Sequence, residues 1–132
     1  MGSHQLLAFV LVFIGGGIGS MLRHAANLIG TSLFGLNIPA GTLFVNIVGS
    51  LAMGLLAGWF AFRGHSDQLT RLFLTTGIIG GFTTFSAFSL EAALLLERGQ
   101  TGGAVLYVIS SVVIAIAGIF VGIAIMRASV GS

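Results

Sequence analysis

The chain has 132 residues, of which 56% are hydrophobic and only 6% charged, with a formal net charge of +2. A soluble domain carries about 25% charged residues, so this composition excludes a water-facing surface and places the chain in a bilayer, as one domain spanning 1–132. Without cysteine there are no disulfides, thiolate metal sites or thiol nucleophiles, and five arginines with no lysine are too few for a nucleic-acid surface.

A spanning helix needs about 20 mostly apolar residues. Four stretches meet that requirement, 5–29, 39–62, 69–96 and 101–126. The first has no basic leader, runs through a glycine-rich stretch and is followed by three more spans. It therefore reads as a retained helix, not a signal peptide. Gly15 and Gly19 stand four apart, and Arg23 follows one turn later on the same face. Arg23 either draws anions toward a vestibule or snorkels to the headgroups. His24 and His65 read as interfacial, not as ligands. "GGGIGS" offers no GxGxxG register and no preceding strand, so it is not a dinucleotide motif.

"NLIGTSLFGLNIP" reads as a loop, with Pro39 suited to the first turn of the second helix. In that helix Thr42 and Asn46 share a face, with Ser50 next in line. Asn46 lies deep in the span, where an unpaired amide costs several kcal/mol. It serves as interhelical glue or as a donor to a passing anion. "RGHSDQ" forms a polar turn.

The third span weakens itself at its centre. "GGFTTFS" sets two glycines beside two β-branched threonines, poor helix material in a segment without charge from Leu72 to Leu90. Irregular backbone at membrane depth is tolerated only where protein buries it or it lines a cavity, and unwound carbonyls there can hold cations. Phe85 and Phe88 follow three apart, one above the other. Their ring edges carry positive potential that favours an anion without holding it tightly. Glu91 is a candidate partner for Arg23, and Glu97 with Arg98 marks the interface.

The fourth span carries Tyr107, Ser110 and Ser111, with Tyr107 and Ser111 on one face. With Asn46, Thr42 and Ser86 they offer a chain of neutral donors, suited to an ion that accepts hydrogen bonds and sheds its water gradually. Small-residue pairs at four-residue spacing, Gly15/Gly19, Gly54/Gly58, Gly77/Gly81 and Gly118/Gly122, predict close helix packing. With both termini inside, Arg63, Arg71 and Arg127 are cytoplasmic while Arg98 and Arg23 lie toward the outside. So slight a bias lets the chain insert both ways, and two oppositely inserted copies could then pack as an antiparallel dimer; four thin helices are too few to enclose a selective pathway alone, so a homo-oligomer is expected.

"GGFTTFSAFSLE", with "GTLFVN" upstream and "GIGSMLR" near the start, closely resembles the Fluc (CrcB) family of bacterial fluoride channels over essentially the whole chain. The resemblance implies an all-α, dual-topology antiparallel homodimer of four-helix subunits in the bacterial inner membrane. It implies two fluoride pores and passive export of fluoride down its electrochemical gradient, lowering cytoplasmic fluoride. It further implies a structural Na⁺ at the dimer centre, held by the backbone carbonyls of Gly80 and Thr83. The pore phenylalanines fall on Phe85 and Phe88, the pore asparagine on Asn46 and the polar track on Tyr107 and Ser111. The track has Ala115 one turn further, where some relatives keep a serine. The vestibule arginine falls on Arg23.

Two other classes fit four thin helices. A small proton-coupled multidrug exporter would need a titratable group in its path, for which Glu91 is the one candidate. An assembly subunit without transport would use the polar residues as glue. No nucleophile–base pair or metal-spaced ligand set points to an enzyme.

Overall fold

A computed structural model describes residues 2–64 and 67–131. His65 lies outside the described residues. The elements are α1 (Ser3–Phe34), α2 (Ala40–Arg63), α3 (Gln68–Leu72), a π-helical segment (Phe73–Ile79), α4 (Gly80–Phe82), α5 (Phe85–Glu97) and α6 (Thr101–Gly131). The π segment joins α3 to α4, and α3 through α5 make the third span. Among the described residues four helices result that are long and apolar enough to cross a membrane.

The first helix extends past the expected end at 29. "GTSLF" contains no proline, and Gly30 lies against the start of α2, where a Cβ would meet the Gly41 amide nitrogen at 2.8 Å. That contact holds the last turns of α1 in helical form. Gly35, at φ 84°, then stops the helix and donates its N–H to the Thr31 carbonyl at 2.9 Å. The connection shrinks to a few residues, and Pro39 sits just before α2, its carbonyl accepting from Leu43 at 3.1 Å. Asp67 caps α3 by accepting from the Thr70 amide at 2.7 Å. That hydrogen bond, first among its causes, lowers the carboxyl pKa below the ordinary aspartate value.

Glycine spacing sets the packing. On one side α1 meets the third span: a Cβ on Gly15 would lie 2.8 Å from the Phe73 carbonyl oxygen, and one on Gly19 would strike the Ile78 carbonyl. On the other side α2 and α6 form the most extensive helix pair. Gly54 is level with Ile119 and Gly58 with Ile123, so the two helices run parallel. Arg71 stacks over Phe60 at 5.0 Å and Arg127 over Phe62 at 5.3 Å, gathering both at the Arg63 end of α2.

The π segment was not expected. Thr75 turns its hydroxyl onto the Arg71 carbonyl at 2.7 Å, competing with its own helical ladder. The Gly80 amide reaches back five residues to the Thr75 carbonyl. Such bulges cluster at functional sites.

Candidate functional site: the helix break and the groove beside it

The break expected at "GGFTTFS" falls on Thr83 and Thr84, both extended (φ −86°, ψ 159° and φ −153°, ψ 120°). Two neighbouring helices take up the polar groups it frees. Asn46 of α2 grips Thr84 from both ends: its Nδ2 donates to the Thr84 carbonyl at 3.0 Å, and its Oδ1 accepts from the Thr84 amide at 2.8 Å. An amide side chain thus substitutes for a backbone partner. Because Nδ2 carries two hydrogens, one remains for a further acceptor. From α1, the Arg23 Nε donates to the Gly81 carbonyl at 3.1 Å. Arg23 is half-buried and bound to the break, so it neither snorkels freely nor reaches Glu91. The Thr84 hydroxyl caps α5 by accepting from Ala87 at 3.1 Å, and lies 3.3 Å from the exposed Ser86 hydroxyl.

Beside the break a groove of about 350 Å³ opens on the surface of the chain. Asn46, Ser50, Thr84, Phe85, Phe88 and Ser111 line it, with Ala115 and Ile119 further along. Phe85, Phe88 and Tyr107 form a tilted column, with centroids 5.6 Å and then 5.2 Å apart. Phe88 and Tyr107 are buried, whereas Phe85 is 77% exposed on the single chain. Ser111 is buried and its hydroxyl has no hydrogen-bond partner among the described residues. An unmet hydroxyl in an apolar setting costs about 1–3 kcal/mol. Here it stands where a groove could bring it an acceptor.

Glu91 is the group that sequence reasoning undervalued. One carboxylate oxygen accepts from the buried Thr42 hydroxyl at 2.9 Å, the other from the Tyr107 hydroxyl at 2.8 Å. Thr42 and Tyr107, both expected to face an ion, give their hydrogens to Glu91 in this arrangement. The signal available in sequence was an acid inside an apolar helix, which must find donors. Thr42 and Glu91 also line a second, more polar cavity of about 290 Å³ with Asn27, Thr31, Asn37 and Arg98. His24 is exposed, as expected of an interfacial residue.

The Na⁺ implied for Gly80 and Thr83 can be tested on chemistry alone. The Thr84 amide goes to Asn46 and not back to the Gly80 carbonyl, so that carbonyl loses its helical donor. The Ala87 amide goes to the Thr84 hydroxyl, which similarly deprives the Thr83 carbonyl. Carbonyl oxygens released from a ladder are the ligands a hard cation takes. Gly80 is exposed on the single chain.

Residues 10–123 match the family model described as CrcB-like protein, Camphor Resistance (CrcB). The chain is 57% identical over 122 residues to the fluoride-specific ion channel FluC of Rhodopseudomonas palustris (strain BisB5), covering 92% of this chain and 98% of that protein. It is 55% identical over 119 residues to fluoride-specific ion channel FluC 2 of Nitrobacter hamburgensis, covering 90% and 96%. It is 52% identical over 124 residues to the FluC of Novosphingobium aromaticivorans, covering 92% and 98%.

Proposed function

Since the chain belongs to the CrcB family, we propose that it is a fluoride channel: a passive, fluoride-selective pore in the bacterial inner membrane that lets fluoride leave the cell and lowers its cytoplasmic level. The observation that carries this reading is the buried, unpartnered Ser111 hydroxyl, set in one groove with Asn46, Phe85 and Phe88. Fluoride accepts hydrogen bonds more strongly than any other halide. The spare Asn46 hydrogen and the Ser111 hydroxyl replace its water, and the ring edges of Phe85 and Phe88 supply weak positive potential. All are neutral, so the ion is held loosely enough to leave. Chloride is larger and repays less for the same loss of water.

The groove is open on the protomer, and Phe85 is exposed there, which supports closure by a second chain. In this reading two oppositely inserted copies form an antiparallel homodimer with two pores. Gly80 and Thr83 of each copy hold a Na⁺ at the centre, where it pins the two breaks together. Thr42 and Tyr107, tied by Glu91, fix the aromatic column in place, and Ser86 lies at the entrance to α5. Arg23 holds the Gly81 carbonyl and brings positive charge close to the path.

The test is efflux from liposomes carrying the purified protein, read by fluoride and chloride electrodes together. Fluoride loss without chloride loss is expected, unaffected by collapsing a proton gradient. Phe85→Ile and Phe88→Ile are expected to cut that flux while the protein still assembles. Proton-coupled transport, or no fluoride loss from folded protein, would refute the reading.

A further inference from the structure

The donors expected on α6 end at Ser111. One turn on the helix carries Ala115 and then Ile119, and both still line the groove. An ion leaving Ser111 in that direction would meet no donor from α6.

The parallel register of α2 and α6 shows what stands there instead. A Cβ on Gly54 would meet Ile119 and one on Gly118 would meet the Leu51 amide, so Ser50, next to Leu51 and one turn beyond Asn46, lies beside the stretch of α6 from Ala115 to Gly118. Asn46, Ser50, Ser111 and Ala115 all line the same groove. Ser50 is half-buried.

Hydrogen bonding separates Ser50 from the other hydroxyls. Serine and threonine inside helices commonly bond back to their own helix. Thr75 does so to Arg71, Thr83 to Ile79 and Ser110 to Leu106. Thr42 donates to Glu91, and Thr84 caps α5. Among the described hydroxyl side chains that are buried or half-buried, only Ser50 and Ser111 lack a hydrogen-bond partner.

From this placement we infer that Ser50 is a further ion-binding residue: it donates its hydroxyl to the anion one turn beyond Ser111, at the level where α6 offers only the methyl group of Ala115. The inference rests on the channel reading above. The path then changes walls, with the donor supplied by α6 at one level and by α2 at the next. Such alternation keeps one hydrogen bond in hand while the next forms.

The experiment compares fluoride efflux from liposomes for the unaltered chain, Ser50→Ala, the double variant Ser50→Ala/Ala115→Ser, and Ser129→Ala as a control whose hydroxyl already donates to the Met126 carbonyl in the last turns of α6. Assembly of each is checked by gel filtration. Ser50→Ala is expected to slow efflux by roughly tenfold, the worth of one hydrogen bond to a charged partner. The double variant moves the hydroxyl across the groove and restores most of the rate. Ser129→Ala runs at the unaltered rate. Normal efflux from Ser50→Ala overturns the inference, as does a double variant no faster than the single one, since the loss would then be one of packing. Absence of fluoride efflux from the unaltered chain would instead overturn the channel reading, and this inference with it.

Discussion

Two helix interfaces in this molecule use the same four-residue glycine spacing, and only one of them stays regular. Between α2 and α6, Gly54, Gly58 and Gly122 bring backbones together, and both helices keep their ladders. Between α1 and the third span, Gly15 and Gly19 meet Gly77 and Gly81 just as closely. There the backbone widens into a π segment and then opens at Thr83 and Thr84. Close approach alone therefore does not break a helix. The break also needs residues that compete with the ladder, Thr75 and the "GGFTT" run, and side chains from neighbouring helices that accept what is released. Asn46 and Arg23 are those side chains. One interface fastens the fold, and the other builds a site.

The largest effect should come from filling the irregular interface. Gly19→Val places a side chain against the Ile78 carbonyl. The obstacle is backbone, so the cost exceeds the roughly 1–3 kcal/mol of ordinary overpacking, and little folded protein should elute on gel filtration. Gly80→Ala provides the contrast. Its Cβ would lie 3.4 Å from the Thr75 carbonyl oxygen, an ordinary contact. The protomer should fold, and only the pairing of two copies should weaken. Unchanged dimer content in Gly80→Ala would remove the support for a cation held between two breaks.

Next in size is the clamp. Asn46→Ala strands the Thr84 amide and carbonyl, at about 1–3 kcal/mol for each group left unpaired. A lower thermal midpoint together with lost fluoride flux is expected. In Asn46→Asp the carboxylate still accepts from the Thr84 amide but cannot donate to its carbonyl or to an anion. It should abolish the flux and recover no stability, because one carboxylate oxygen then faces the Thr84 carbonyl where the amide had donated.

The smallest effect lies outside the membrane, at Asp67. Its carboxylate accepts from the Thr70 amide, and its pKa is lowered by that bond. A depressed folded pKa contributes stability that is present above the ordinary aspartate value and is lost as pH falls through the lowered one. Thermal midpoints of the unaltered chain and Asp67→Ala should differ slightly at neutral pH and converge in acid. A difference that grows in acid would contradict the cap.

Much of this was legible because bilayer constraints are strong. Four apolar stretches had to be helices, the glycine pairs had to meet something, and "GGFTTFS" could not continue a ladder. The remainder depended on contacts between helices. The π turn at Phe73–Ile79 lies where α1 comes so close that a Cβ on Gly15 would meet the Phe73 carbonyl, which no local pattern in "FLTTGII" reveals. The extension of α1 to Phe34 depends on Gly41 receiving Gly30. Arg23 turned to Gly81 and not to Glu91, because a freed carbonyl was nearer than the acid. Glu91 found its donors on two other helices, Thr42 and Tyr107.

The central claim is that fluoride passes through the groove between α2, α5 and α6. The chain lacks cysteine, so Ala115→Cys creates a single thiol on the groove wall. The decisive measurement is fluoride efflux from liposomes before and after a small, charged thiol reagent has modified that variant to completion, as confirmed by mass. The account predicts that the variant conducts before modification and stops conducting after it. Full modification with undiminished fluoride efflux would show that the ion travels elsewhere.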